Sequence, residues 1–245
     1  MSHPAPFVVH LRRNVKWLWV VAGVLLLFHF LNRLIHGGLS IETLNILLAK
    51  FHLDSENSVT AWFSSVLLLL VGAGWLVLYF CKYRRQERPD TWRFGLLAVV
   101  FVVLSCDESA SLHELLIVPV RRGLGVGGLL YYAWIIPATV FLACLAVVVA
   151  PLLRRVSATL RWGSIMAGAV FVGGAIGAEM FGGKITAGGG FDSPGYFLVM
   201  TIEEVCEITG VLLMLTVMSR DLGVTETSAE AAEASILEPT PHAAR

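Results

Sequence analysis

The sequence predicts an all-α polytopic membrane protein, a six-helix transmembrane bundle with both termini in the cytoplasm. Three observations carry that prediction. The 245 residues are 56% hydrophobic and only 15% charged, with a mean hydropathy of +0.75, which lies outside the soluble globular class. Stretches 17–36, 60–81, 94–117, 131–153, 162–181 and 196–219 each approach the roughly 20 residues a helix needs to cross the hydrocarbon core. Lys and Arg gather in alternate loops. Net charge is zero, so no basic surface points to nucleic acid.

The first span opens with Arg12, Arg13 and Lys16 and then turns apolar. That start resembles a signal peptide, but HFLNRLIHGGLS beyond it lacks a small-x-small cleavage site, so an uncleaved anchor is expected. Ile41, Leu44, Leu47, Leu48 and Phe51 then recur at helical spacing beside Glu42, Asn45 and Lys50, the pattern of an amphipathic helix on the membrane surface. The second span leads into Lys82, Arg84, Arg85, Arg88 and Arg93, and the fourth into Arg154, Arg155 and Arg161. The other side carries only Arg33, Lys50, Arg121, Arg122 and Lys184. The positive-inside rule therefore places the basic loops in the cytoplasm and the chain in the inner (cytoplasmic) membrane.

Trp17, Trp19, Trp92 and Trp162 would mark the inner interface, and Trp62, Tyr131, Tyr132, Trp134 and Tyr196 the outer one. In the fifth span, Gly173 and Gly177 at a four-residue spacing predict close helix packing. The glycine-rich run FGGKITAGGGFDSPGY after it predicts an irregular outer loop. Beyond Asp221 the chain is polar and rich in Ala and Glu, so residues 1–220 form the membrane domain and 221–245 a disordered cytoplasmic tail. Cys81, Cys106, Cys144 and Cys206 all fall within spans, where a disulfide framework is not expected.

The acidic residues are the unusual feature. Asp107, Glu108 and Glu114 interrupt span three, Glu179 closes span five, and Glu203, Glu204 and Glu207 break span six. A carboxylate at a helix centre costs about 2.5 to 3.5 kcal/mol on insertion scales, so these groups need a counter-charge, a proton, water or a metal. The expected topology puts all of them, with His29, Asn32, Arg33 and His36 of span one, in the outer half of the bundle. At about 100° per residue, Asp107, Ser111 and Glu114 fall within about 60° of one another, and Glu203, Glu204 and Glu207 within about 100°. Each helix has one polar stripe, and the expectation is one shared pocket.

Carboxylates with a few imidazoles form a ligand set for a divalent cation. Candidate metal ligands are Asp107, His113, Glu114, Glu203, Glu207, His29, His36 and Glu179, with Fe, Mn or Zn as the ion. Glu108 and Glu204, offset from the main stripes, are candidate catalytic acid–base groups. Arg33 reads as a counter-ion, and the span-one histidines serve equally well as hydrogen-bonding residues.

The run LSCDESASLHE in span three, followed by EExxExxG in the last span, resembles a group of bacterial multi-pass membrane proteins with a D-E-x4-H-E signature. The resemblance implies a six-helix membrane fold and brings no activity with it. The residues themselves suggest a metal-dependent enzyme acting on a lipid or other apolar substrate. Two other readings use the same acids: a proton- or cation-coupled carrier, and a non-enzymatic subunit that pairs with basic helices of a partner.

Overall fold

A computed structural model describes residues 6–36, 49–53, 55, 57–80 and 91–237, with the side chains of 6–13, 35–36 and 223–237 outside that description. Among the described residues every regular element is helical: α1 (Pro6–His36), α2 (Val59–Leu78), α3 (Trp92–Ala110), a 3-10 turn (Leu112–Leu116), α4 (Ile117–Leu124), α5 (Ile135–Leu153), α6 (Ala158–Val172), a π-helical segment (Gly173–Ala178), α7 (Glu179–Ala187) and α8 (Pro194–Leu237). The expected surface helix around 41–51 and the end of the expected tail lie largely outside the described residues.

Among the described residues four helices are long and apolar enough to cross a membrane: Asn14–Leu34, Val59–Leu78, Ile135–Leu153 and Ala158–Ala187. A fifth joins them when Trp92–Ala110 and Leu112–Leu124 are taken together across their 80° bend. The final helix, with three glutamates in its first half, is not among them, so the described helices support fewer spans than the six expected.

Helix α8 is the organising element, packing against α1, α2, α6 and the π segment, while α2 also packs along α3. Leu67, Leu78, Leu160, Leu212, Leu215 and Met218 are fully buried where these helices meet. Outward faces are apolar too, with Leu115 71% and Val147 76% exposed, as expected of surfaces that meet lipid rather than water. Ser65 and Ser105 clasp α2 to α3 by reciprocal bonds: each hydroxyl reaches the other residue's carbonyl, at 2.7 and 2.8 Å. Trp19 Nε1 donates to Thr216 Oγ1 at 3.2 Å and ties α1 to α8.

Span three differs from expectation because the helix does not continue through the acidic motif. Ser111 adopts a left-handed conformation (φ 49°, ψ 42°) at the break. Asp107 explains it: its carboxylate accepts the backbone N–H of His113 at 2.8 Å, a side-chain competitor for the backbone bond a continuous helix would make. The chain then turns into α4, which ends at Gly125 (φ 63°), the left-handed position that glycine fills without strain.

Span five also departs from expectation. It runs on as helix to Ala187, so the irregular stretch is confined to about 188–193. The close-packing glycines are not Gly173 and Gly177, which have open space around them. They are Gly163, Gly174 and Gly210: a Cβ at Gly174 would lie 2.6 Å from the Glu203 carbonyl, and one at Gly210 2.8 Å from the Ala167 carbonyl.

Candidate active site

These packing choices bring the acidic motif of α3, the start of α7 and the glutamate stripe of α8 to one end of the bundle. Gly174 lets the π segment lie directly on the α8 backbone at Glu203. Glu179 follows that segment at once, and single-turn π insertions recur at functional sites because they re-aim the residues around them. A cavity of about 410 Å³ opens there, lined by Asp107, Glu108, His113, Glu114, Glu179, Glu203, Glu204 and Glu207. Its volume falls within the range of small-molecule sites. Among the described residues no Lys or Arg lines it.

Asp107 and His113 form the best-defined pair. Asp107 Oδ2 lies 2.9 Å from His113 Nδ1, and Oδ1 accepts the His113 backbone N–H. A carboxylate on Nδ1 fixes the tautomer with the proton on that nitrogen and leaves the Nε2 lone pair available. Trp134 packs on the imidazole with ring centroids 4.7 Å apart, and its Nε1 donates to Glu179 Oε1 at 2.9 Å. The indole thus joins His113 to Glu179. Ser64 of α2 stands beside the Glu108 carboxyl. Glu207 stands within electrostatic reach of Glu108, Glu179 and Asp107, so three helices deliver acids to a common field.

Among the described residues no three His, Cys, Asp or Glu side chains converge on a point that could hold an ion. The physical reason is visible at Asp107 and Glu179, whose carboxylates are directed to His113 and Trp134 rather than to one another.

His29 is used differently. It is fully buried away from the cavity lining, accepting from the Leu53 N–H at Nδ1 (3.3 Å) and facing Thr201 Oγ1 from Nε2 (3.1 Å). Its ring stacks on Phe197 at 4.9 Å. Both nitrogens are occupied, so it ties α1 to α8 rather than offering a lone pair. Arg33 lies over the Phe197 ring, 4.9 Å from its centroid. The His36 side chain is outside the described residues.

Sequence reasoning placed Ser111 on the polar stripe but missed Trp134 as a cavity residue. Trp134 reads as an interfacial aromatic because a tryptophan at the start of an apolar span is common there. Only the bend at Ser111, which turns His113 back toward α5, makes it a site residue.

A family model described as a domain of unknown function, DUF8692, matches residues 17–221. The chain belongs to the DUF8692 family. The matched region includes every cavity-lining residue named above. No curated protein and no solved structure matches the chain.

Proposed function

We propose that this DUF8692 protein is an integral membrane enzyme that performs acid–base chemistry on a lipid or another apolar substrate bound in the cavity between α3, α5, α6 and α8. One observation carries the reading: an imidazole oriented by a carboxylate through both its ring and its backbone N–H, at the acidic end of an otherwise apolar pocket. His113 acts as general base through Nε2, taking a proton from water or a substrate hydroxyl, while Asp107 orients the ring and stabilises the imidazolium that forms. Glu108, with Ser64 beside it, is the complementary acid. Glu204 lines the same cavity as a second acid–base group.

The alternating basic loops support an N-in/C-in orientation in the inner membrane, which opens the acidic end to the non-cytoplasmic side. The apolar depth of the pocket favours a substrate chain over an ion path, which would need polar groups along its whole length. Clustered carboxylates in a poorly hydrated site require a compensating charge. A divalent cation held by one or two of them and completed by water fits paired acids better than a Zn site with three protein ligands.

The test is turnover in proteoliposomes made from a native-membrane lipid extract, followed by mass spectrometry, with metal analysis of the same preparation. The wild type is expected to deplete one lipid species and His113→Gln to lose at least a hundredfold in rate, the usual scale for a general base. Asp107→Asn should retain more activity than His113→Gln, because it disturbs the orienting group and leaves the base. Stoichiometric metal that disappears in Glu207→Gln supports the cation. An unchanged lipid profile with wild-type protein, or full turnover by His113→Gln, overturns the reading.

A further inference from the structure

The cavity does not stop at the acids. Leu104, Phe101 and Leu97 carry its wall along α3, and Leu142, Leu145 and Val149 carry it along α5. Asp107 to Leu97 is ten residues, about 15 Å of helix at 1.5 Å per residue. Two polar side chains stand at the far end. Trp75 of α2 and Ser164 of α6 both line the cavity and are 1% and 7% exposed. Among the described residues neither the Trp75 Nε1 nor the Ser164 Oγ has a hydrogen-bond partner.

Asn32 Oδ1, Thr60 Oγ1 and Arg161 Nε are also buried without a partner among the described residues, but none of these three lines the cavity. The hydroxyls of Thr139, Thr201 and Thr216 each donate to the carbonyl one turn back, at 2.8, 2.7 and 2.8 Å. The indole N–H groups of Trp19 and Trp134 have acceptors. A buried N–H or O–H left unpaired costs about 1 to 3 kcal/mol, so two on one cavity wall point to an acceptor supplied by what binds there.

The two donors also lie at matching depth. A Cβ on Gly74 would meet Met218 Sδ at 2.7 Å, and one on Gly163 would overlap Val217. Their neighbours Trp75 and Ser164 are therefore within about one helical turn of each other along α8. That level is ten residues, about 15 Å, from Glu207.

We propose that the pocket takes an elongated amphiphile with polar atoms at both ends: an amine at the Asp107–Glu207 end, an apolar chain along α3 and α5, and a hydroxyl or carbonyl oxygen received by Trp75 and Ser164. The amine follows from charge complementarity, since among the described residues seven carboxyl groups and no Lys or Arg line the cavity. The chain follows from the apolar walls, and the terminal acceptor from the two donors. This inference rests on the reading of the cavity as a substrate site and specifies the substrate's chemistry.

The probes are dodecylamine and 12-aminododecan-1-ol, about twelve zigzag carbons at bond lengths near 1.5 Å, which suits the depth. Their binding to the full chain in nanodiscs is measured relative to their concentration in the nanodisc bilayer. The amino alcohol should bind about two- to tenfold more tightly than the amine, the range of one net hydrogen bond. The Trp75→Phe, Ser164→Ala double variant should bind both equally, with dodecylamine affinity unchanged, and Glu207→Gln should weaken both. Each single variant, Trp75→Phe or Ser164→Ala, should lose part of the preference, which keeps the test decisive if the double variant does not fold. Equal affinities in the wild type, or a preference that survives the substitutions, overturn the inference. Lipid turnover without this discrimination removes the present inference alone, and discrimination without turnover removes the catalytic reading alone.

Discussion

Asp107 acts on the structure through three atoms. Its carbonyl accepts the Ser111 N–H at 2.6 Å, Oδ1 accepts the His113 N–H, and Oδ2 meets the imidazole. One residue thereby breaks a helix and builds a dyad. Ser111 absorbs the break at a left-handed φ, which costs a non-glycine residue about 1 to 2 kcal/mol. Ser111→Gly should therefore raise stability by up to about 1 kcal/mol in detergent thermal unfolding, the residual cost being glycine's greater unfolded freedom. A clear loss instead would mean that the serine hydroxyl holds the bend. His29 allows a second separation of roles. His29→Phe keeps the stacking surface on Phe197 but leaves the Leu53 N–H without its acceptor, so unfolding should become easier by about 1 to 3 kcal/mol. Lipid turnover per folded molecule should stay near wild type; loss of turnover at full stability would return His29 to the site.

At the scale of elements, the bundle depends on where backbone meets backbone. Gly174→Ala would press a methyl group to 2.6 Å from the Glu203 carbonyl, forcing the π segment off α8. Overpacking of this kind costs about 1 to 3 kcal/mol. Gly173→Ala meets nothing within 4 Å and should be neutral. The pair differ by one position in one segment, so comparing their unfolding midpoints reports the packing alone. Equal midpoints would mean that α8 and the π segment do not meet at Gly174. The four-residue glycine spacing identified the right helix and the wrong face, because a π segment shifts the register that α-helical counting assumes.

For the whole molecule, the uneven Lys and Arg distribution is the only guide to orientation. Alkaline phosphatase inserted in the 188–193 turn should be active, and the same enzyme inserted in the basic loop near Arg155 inactive, if the acidic end faces outward. The reverse pattern would turn the cavity mouth to the cytoplasm and change which substrates reach it. Helix α5 walls the cavity yet packs only lightly on α3.

What the sequence determined by itself was set by solvent and by periodicity. Apolar stretches of membrane length must be helical because lipid offers no partners to backbone groups, so the all-helical fold was legible. The acids were legible as a cluster because charges are costly in such stretches, and three helices do bring Asp107, Glu108, Glu179 and Glu207 to one cavity. Tertiary structure alone decided how they are used. A local competition between the Asp107 side chain and the helix backbone bends α3, and close contact at Gly174 seats the π segment. Those two events pair Asp107 with His113 and Glu179 with Trp134. Neither has a period that can be counted along the chain, because each depends on atoms brought together only when the helices pack.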